Sequence, residues 1–103
     1  MLTIQTKRGD TFLLYGTFKD NADGVVDLTG YTISSKVVTM FYQFKWTITC
    51  TIEDAKQGKY ALRANTSAWT AGVFLFDIEF VAPGGASTSS DMIRLEVLQD
   101  ATL

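Results

Sequence analysis

The feature that most constrains the fold is a two-residue alternation of apolar and polar side chains that recurs along the chain. Near the C-terminal end, Ile93, Leu95 and Val97 share one parity, while Arg94 and Glu96 share the other. Successive side chains of a β-strand point to opposite faces of its sheet, so this period predicts strands with one buried face. The sequence therefore predicts an all-β protein.

Clusters of turn-forming residues separate these segments at short, even intervals. Gly, Asn, Asp, Ser and Pro favour tight turns, and even spacing of turns between short strands is typical of a β-sandwich or barrel. The length of 103 residues suits one domain. We therefore predict a single domain over residues 1–103, a β-sandwich or barrel with about seven strands. The clusters lie at 7–10, 20–24, 28–30, 54–59, 65–72 and 82–87.

Three turn segments contain residues that also occur in functional motifs. RGD at 8–10 occurs in integrin ligands, but here it is interpreted as a turn between strands at 2–6 and 11–18. DNADG at 20–24 has the composition of a calcium loop but lacks its spacing of carboxylates, so a hairpin turn is favoured. Residues 66–72 are the one candidate for a helical turn, with a hydroxyl residue as N-cap.

The longest predicted strand, 41–53, is rich in aromatic residues at its first end. Parity places Ile48, Cys50 and Ile52 in the core, with threonines on the opposite, solvated face. At about 3.3 Å per residue this segment spans ~40 Å, which is long for a compact domain of this size. We therefore expect the end near Phe41 to protrude from the core or to curl over it.

The tip of the hairpin at 38–46 is predicted to be a contact surface for another protein or another copy of this chain. Turns are normally polar because they face water, and an uncovered apolar patch promotes aggregation. Aromatic residues and Met are also enriched at interface centres. The alternative is that the tip folds back and caps the core of its own domain. The predicted contact residues are Met40, Phe41, Tyr42, Phe44 and Trp46.

The residue types that most catalytic and metal sites require are scarce. The chain has no His and one Cys, Cys50, so it cannot form a Ser–His–Asp site, a zinc cluster or an internal disulfide. Asp77 and Glu79 share a strand face, where two solubilising charges are favoured over a hydrolase pair. We therefore predict no enzymatic activity, with no catalytic, cofactor-binding or metal-ligating residues.

The charge balance argues against several classes of partner. Nine basic and eleven acidic residues give a net charge of −2, without the basic patch that nucleic acids or anionic lipids require. No apolar run approaches the ~20 residues of a membrane span, and no small-molecule substrate is expected. Exposed aromatic rings can stack on sugars, so a carbohydrate-binding module is an alternative of another class. Trp69 is interpreted as a plug at the end of the sandwich rather than as such a platform.

A set of short motifs occurs in a fixed order along nearly the whole chain. The motifs are GDTF at 9–12, DLTGYT at 27–32, GKYAL at 58–62, AGVFLFDIE at 71–79, GG at 84–85 and DAT at 100–102. In that order they resemble small structural domains of tailed bacteriophages and prophages, in particular the N-terminal domain of phage upper baseplate proteins.

This resemblance implies an immunoglobulin-like antiparallel β-sandwich with a structural role in the tail or baseplate, where it attaches fibres or the receptor-binding apparatus. The implied partners are other virion proteins and copies of the same chain. The implied location is the virion, after synthesis in the host bacterial cytoplasm. A capsid decoration or head–tail connector protein is the alternative within this class. Such domains have a polar turn where this chain has the apolar segment 37–46, which suits a tip buried by a neighbouring subunit.

Overall fold

A computed structural model describes residues 1–99 of the chain, and the DAT motif at 100–102 lies outside them. The described residues form eight strands and one short 3₁₀ helix, so the all-β prediction is confirmed. The 3₁₀ helix, Ala55–Gln57, lies between the fourth and fifth strands. The strands are β1 (Thr3–Lys7), β2 (Thr11–Thr17), β3 (Thr32–Val38), β4 (Phe44–Asp54), β5 (Lys59–Asn65), β6 (Gly72–Val81), β7 (Ser87–Ser89) and β8 (Ile93–Leu98).

The strands form one curved, nearly barrel-shaped sheet. Seven of them follow the order β1-β8-β6-β3-β4-β5-β2, and β7 pairs with the last part of β6. The expectation of a wholly antiparallel arrangement is wrong, because β1 runs parallel to β8; the other neighbours are antiparallel, so the sheet is mixed. β1 and β2 lie at the two ends of this path and are joined by the RGD turn at 8–10. That turn was predicted, and a bond from the Asp10 amide to the Lys7 carbonyl (3.0 Å) closes it.

The core lies on the inner face of the curved sheet. Alternate residues of β6 are buried there, namely Phe74, Phe76, Ile78 and Phe80. The Phe80 ring stacks on that of Phe18, with centroids 4.0 Å apart and planes inclined by 3°. The parity that defines these strands in the sequence therefore identifies these four buried residues, but Leu75, of the opposite parity, is buried as well.

Trp69 closes the core near the RGD turn. It is 3% exposed and lies between Trp46, at 4.8 Å between centroids, and Phe12, at 6.1 Å. The segment 66–72 forms a turn, with the Trp69 amide bonded to the Thr66 carbonyl, and the predicted helical turn is absent. The Thr66 hydroxyl bonds the Lys7 and Asp10 carbonyls instead of capping a helix.

β4 changes partners along its length. Its first half pairs with β3 and its second half with β5, and the register to β5 shifts between Ile52 and Asp54. Ile48 is buried as predicted, and Cys50 is half-buried. The prediction that Ile52 belongs to the core is wrong, because the strand ends in this irregularity and leaves the side chain 38% exposed.

The DNADG segment forms the predicted hairpin turn. The Asp20 carboxylate accepts hydrogen bonds from the amides of Ala22 and Gly24, both at 2.9 Å. An antiparallel bridge between Lys19 and Val25 flanks the turn. The Asp20 side chain therefore serves the local backbone, as short polar side chains commonly do in turns.

Candidate interaction surface

The turn between β3 and β4 is organised by one threonine. The Thr39 amide donates to the Gln43 carbonyl at 2.8 Å, and the Tyr42 amide donates to the Thr39 carbonyl at 2.9 Å. The Thr39 hydroxyl oxygen accepts from the amides of Phe41 (3.2 Å) and Gln43 (3.1 Å). The backbone and hydroxyl of Thr39 thus close the turn without any contact from its apolar side chains.

Four of the five predicted contact residues form an exposed surface on this turn, which we call the apolar tip: Met40, Phe41, Tyr42 and Phe44. Phe41 is 86% exposed, Tyr42 66%, Phe44 58% and Met40 46%. A tip folded back onto its own core would bury these rings. In the isolated chain they are therefore not part of the core.

The fifth predicted contact residue, Trp46, lies beneath the tip. Its ring stacks on Trp69 at 4.8 Å and meets Phe74 edge to face, also at 4.8 Å. The ammonium of Lys45 lies 5.5 Å from the centroid of the Trp46 ring, within the range of a cation–π contact. Trp46 thus anchors the hairpin to the domain, and the tip extends from that anchor.

Tyr42 has an unusual backbone conformation for its residue type. Its φ is +64°, a left-handed value shared by one other non-glycine residue among residues 1–99, Asp23. The left-handed region costs an L-residue about 1 kcal/mol or more relative to glycine. Asp tolerates the region through local hydrogen bonds, whereas Tyr has no such compensation. The turn therefore places an aromatic side chain at a backbone conformation that favours glycine.

A second exposed apolar pair, which the sequence did not single out as a site, lies on β2. Leu13 and Tyr15 are 43% and 63% exposed on the outer face of the sheet. Their parity opposite Phe12 was visible in the sequence, but the position of β2 at the end of the sheet was not.

The remaining candidate groups have ordinary environments. Asp77 faces Lys36 across the β3–β6 pair, and Glu79 faces Ser34. Burial raises the pKa of the Cys50 thiol, whose sulfur lies 3.7 Å from the Ile48 carbonyl oxygen. Nothing in these contacts activates a nucleophile or a general base.

Comparison of the sequence with protein-family models and with curated proteins finds no match. Over residues 1–99, no helix has the length and apolar character needed to cross a membrane. The same residues contain no group of three His, Cys, Asp or Glu side chains placed to hold a metal ion. The functional interpretation therefore depends on the exposed side chains and on the motif resemblance.

Proposed function

We propose that this protein is a structural protein–protein interaction module of a bacteriophage particle, located in the tail or baseplate. The ordered motifs that resemble phage upper baseplate domains support the assignment to a virion. In this proposal the fold is an immunoglobulin-like β-sandwich. The division of β4 between β3 and β5 supports two layers that share one strand.

The observation that carries the proposal is the exposed apolar tip. Its three aromatic rings and one Met are the residue types that concentrate in the buried centres of interfaces. A hairpin that served only to connect two strands would favour polar residues and glycine. The partner is another protein of the same particle, which covers the tip on assembly.

The structure beneath the tip suits binding. The stacked Trp46 and Trp69 rings hold the base of the hairpin, and the bonds of Thr39 close its turn. A rigid anchor lowers the entropy lost when a side chain is ordered on binding. The left-handed Tyr42 adds to this argument, because backbone strain concentrates at functional sites.

The double change Phe41→Ser with Tyr42→Ser tests the proposal. Exposed substitutions usually alter stability by less than ~0.5 kcal/mol each, so the variant should melt within a few degrees of wild type. Its incorporation into particles should fail. The matched control is Leu2→Ser with Val25→Ser, two residues that are exposed elsewhere at 60% and 48%. That control should incorporate normally.

Two results would contradict this reasoning. If the tip variant unfolds, the rings stabilise the domain itself. If it folds and incorporates at the wild-type level, the tip is not the assembly surface. A separate measurement, electron microscopy of particles that carry a labelled chain, distinguishes a tail position from a capsid or connector position.

A further inference from the structure

The outer edge of β2 carries backbone groups that have no partner strand in the described chain. β2 is the last strand of the path and pairs only with β5. The Phe18 amide donates to the Gly58 carbonyl at 2.8 Å, which fixes the side of the strand that faces β5. Peptide groups alternate in direction along a strand, so every second residue of β2 directs its amide and carbonyl away from β5. These residues are Thr11, Leu13, Tyr15 and Thr17.

This edge lacks the features that usually prevent pairing. Proteins protect edge strands with charged residues, proline or bulges. β2, with the sequence TFLLYGT, has no charge and no proline, and its register with β5 is unbroken. The strand at the other end of the path, β1, contains Lys7, whose carbonyl already accepts bonds from Asp10 and Thr66. Of the two strands that end the path, β2 is therefore the one suited to strand addition.

We propose that two copies of the chain pair antiparallel through β2, about a two-fold axis at Leu14. In this register each Leu13 faces Tyr15 of the other copy, and each Thr11 faces Thr17. All four residues direct their peptide groups outward, so the pairs exchange about eight backbone hydrogen bonds. This contact is separate from the apolar tip, and it does not depend on the proposed function.

The sequence of β2 favours a second copy over an unrelated strand. Around Leu14 the strand is self-complementary on its outer face, with an aliphatic–aromatic pair and a threonine pair on each side of the axis. Moving the axis to Leu13 would set Leu13 against itself and leave Thr17 opposite the RGD turn. The register centred on Leu14 is the one in which every outward-facing residue of β2 has a strand partner.

A charge-pattern experiment tests both the contact and its register. Sedimentation velocity over a range of concentrations should show a weak dimer of the wild-type chain, since edge pairing alone buries a small interface. Leu13→Glu with Tyr15→Glu sets like charges opposite each other and should weaken the dimer by about tenfold or more. Leu13→Glu with Tyr15→Lys sets opposite charges together and should recover most of the association. The tip variant, Phe41→Ser with Tyr42→Ser, should dimerise like wild type.

A cysteine experiment tests the axis without adding charge. In a Cys50→Ser background, Leu14→Cys should form an intermolecular disulfide under mild oxidation. The two sulfurs face each other at a non-hydrogen-bonded pair, whose Cα atoms are ~4.5 Å apart and within disulfide range. Leu13→Cys in the same background is the register control, at an exposed position next to Leu14, which packs partly against the core. It faces position 15 of the other copy rather than itself, so it should cross-link far more slowly.

Three results would overturn the inference. One is a chain that stays monomeric at millimolar concentration. Another is a dimer that responds equally to both charge patterns and cross-links equally at positions 13 and 14. The last is protection of the Leu13 and Tyr15 amides from hydrogen exchange that does not change with concentration, since another part of the same chain would then cover the edge. If the charged variants fail to fold, the cysteine pair decides alone.

Discussion

Gly58 is a glycine at which an added side chain would meet backbone atoms rather than another side chain first. It follows the 3₁₀ helix with φ +67°, and its amide bonds the Ala55 carbonyl at 3.0 Å. A Cβ at this position would lie 2.8 Å from the Val26 carbonyl oxygen and 3.0 Å from that of Phe18. Both obstacles are backbone atoms, and the Phe18 carbonyl accepts the Val26 amide at 3.0 Å, so they cannot move aside as a flexible side chain could. We therefore expect Gly58→Ala to destabilise the fold strongly.

Two costs add at this position. A left-handed conformation costs alanine roughly 1 to 2 kcal/mol, and forced overlap in a packed site costs roughly 1 to 3 kcal/mol. The sum, roughly 2 to 5 kcal/mol, lowers the melting temperature of a domain of this size by roughly 10 to 30 °C.

Two other glycines separate these costs. Gly85 has φ +96°, but a methyl group added there would meet nothing among the described residues within 4 Å, so Gly85→Ala should show only the conformational cost of roughly 1 to 2 kcal/mol. Gly84 has neither restriction, so Gly84→Ala should change stability by less than ~0.5 kcal/mol.

Thermal and urea denaturation of the three variants measure these differences. The expected order of destabilisation is Gly58→Ala, then Gly85→Ala, then Gly84→Ala. Equal melting temperatures for the Gly58 and Gly85 variants would show that the carbonyls of Val26 and Phe18 do not restrict the site. Equal temperatures for all three would refute the conformational argument as well.

Two further predictions concern ionisable groups. Hydrogen bonds from the Thr29 hydroxyl and amide lower the pKa of Asp27. The stability that this carboxylate contributes is therefore complete above the ordinary Asp pKa of about 3.9, and it is lost as the pH falls through the lowered pKa. Asp27→Asn should therefore reduce the loss of stability in acid melts, and an unchanged pH dependence would contradict this. Burial raises the pKa of Cys50, so a thiol reagent at pH 8 should label the native protein at least ~10-fold more slowly than the protein in urea; equal rates would show that the thiol is accessible.

The alternation of side chains predicted most of the strands and their buried faces. β6 illustrates this, because Phe76, Ile78 and Phe80 have the parity of the core and are all buried. The same rule assigned too many residues of β4 to the core. Parity assigns Ile52 to the core, but it does not encode the register shift that exposes it.

The candidate contact residues were predictable only in part. The sequence indicated the apolar hairpin, because a turn with three aromatic residues and no glycine is unusual. It could not separate Trp46 from the tip, since that separation depends on Trp69, a residue distant in sequence that packs against the Trp46 ring. Long-range contacts of this kind leave no local pattern.

The β2 edge shows a different limit. Thr11 to Thr17 alternate like any half-buried strand, and nothing in that alternation distinguishes an edge strand from a central one. The distinction arises from pairing, because β2 has β5 on one side and no described strand on the other. Exposed Leu13 and Tyr15 would be ordinary on a central strand, but beside unpaired peptide groups they form a surface suited to association.

The two proposed contact surfaces lie on different parts of the strand path. The apolar tip lies between β3 and β4, in the middle of the strand path, whereas β2 is the last strand of that path. Pairing through β2 therefore leaves the tip free. A pair of chains would then present two tips to an assembly that contains repeated partners. When two sites bind the same assembly, the second contact forms at a high effective concentration, and avidity can exceed the single affinity by roughly 10² to 10⁴. Neither surface therefore needs to be large for a small domain to be held firmly. A hairpin tip of four side chains and one strand edge are together sufficient for the proposed role in assembly.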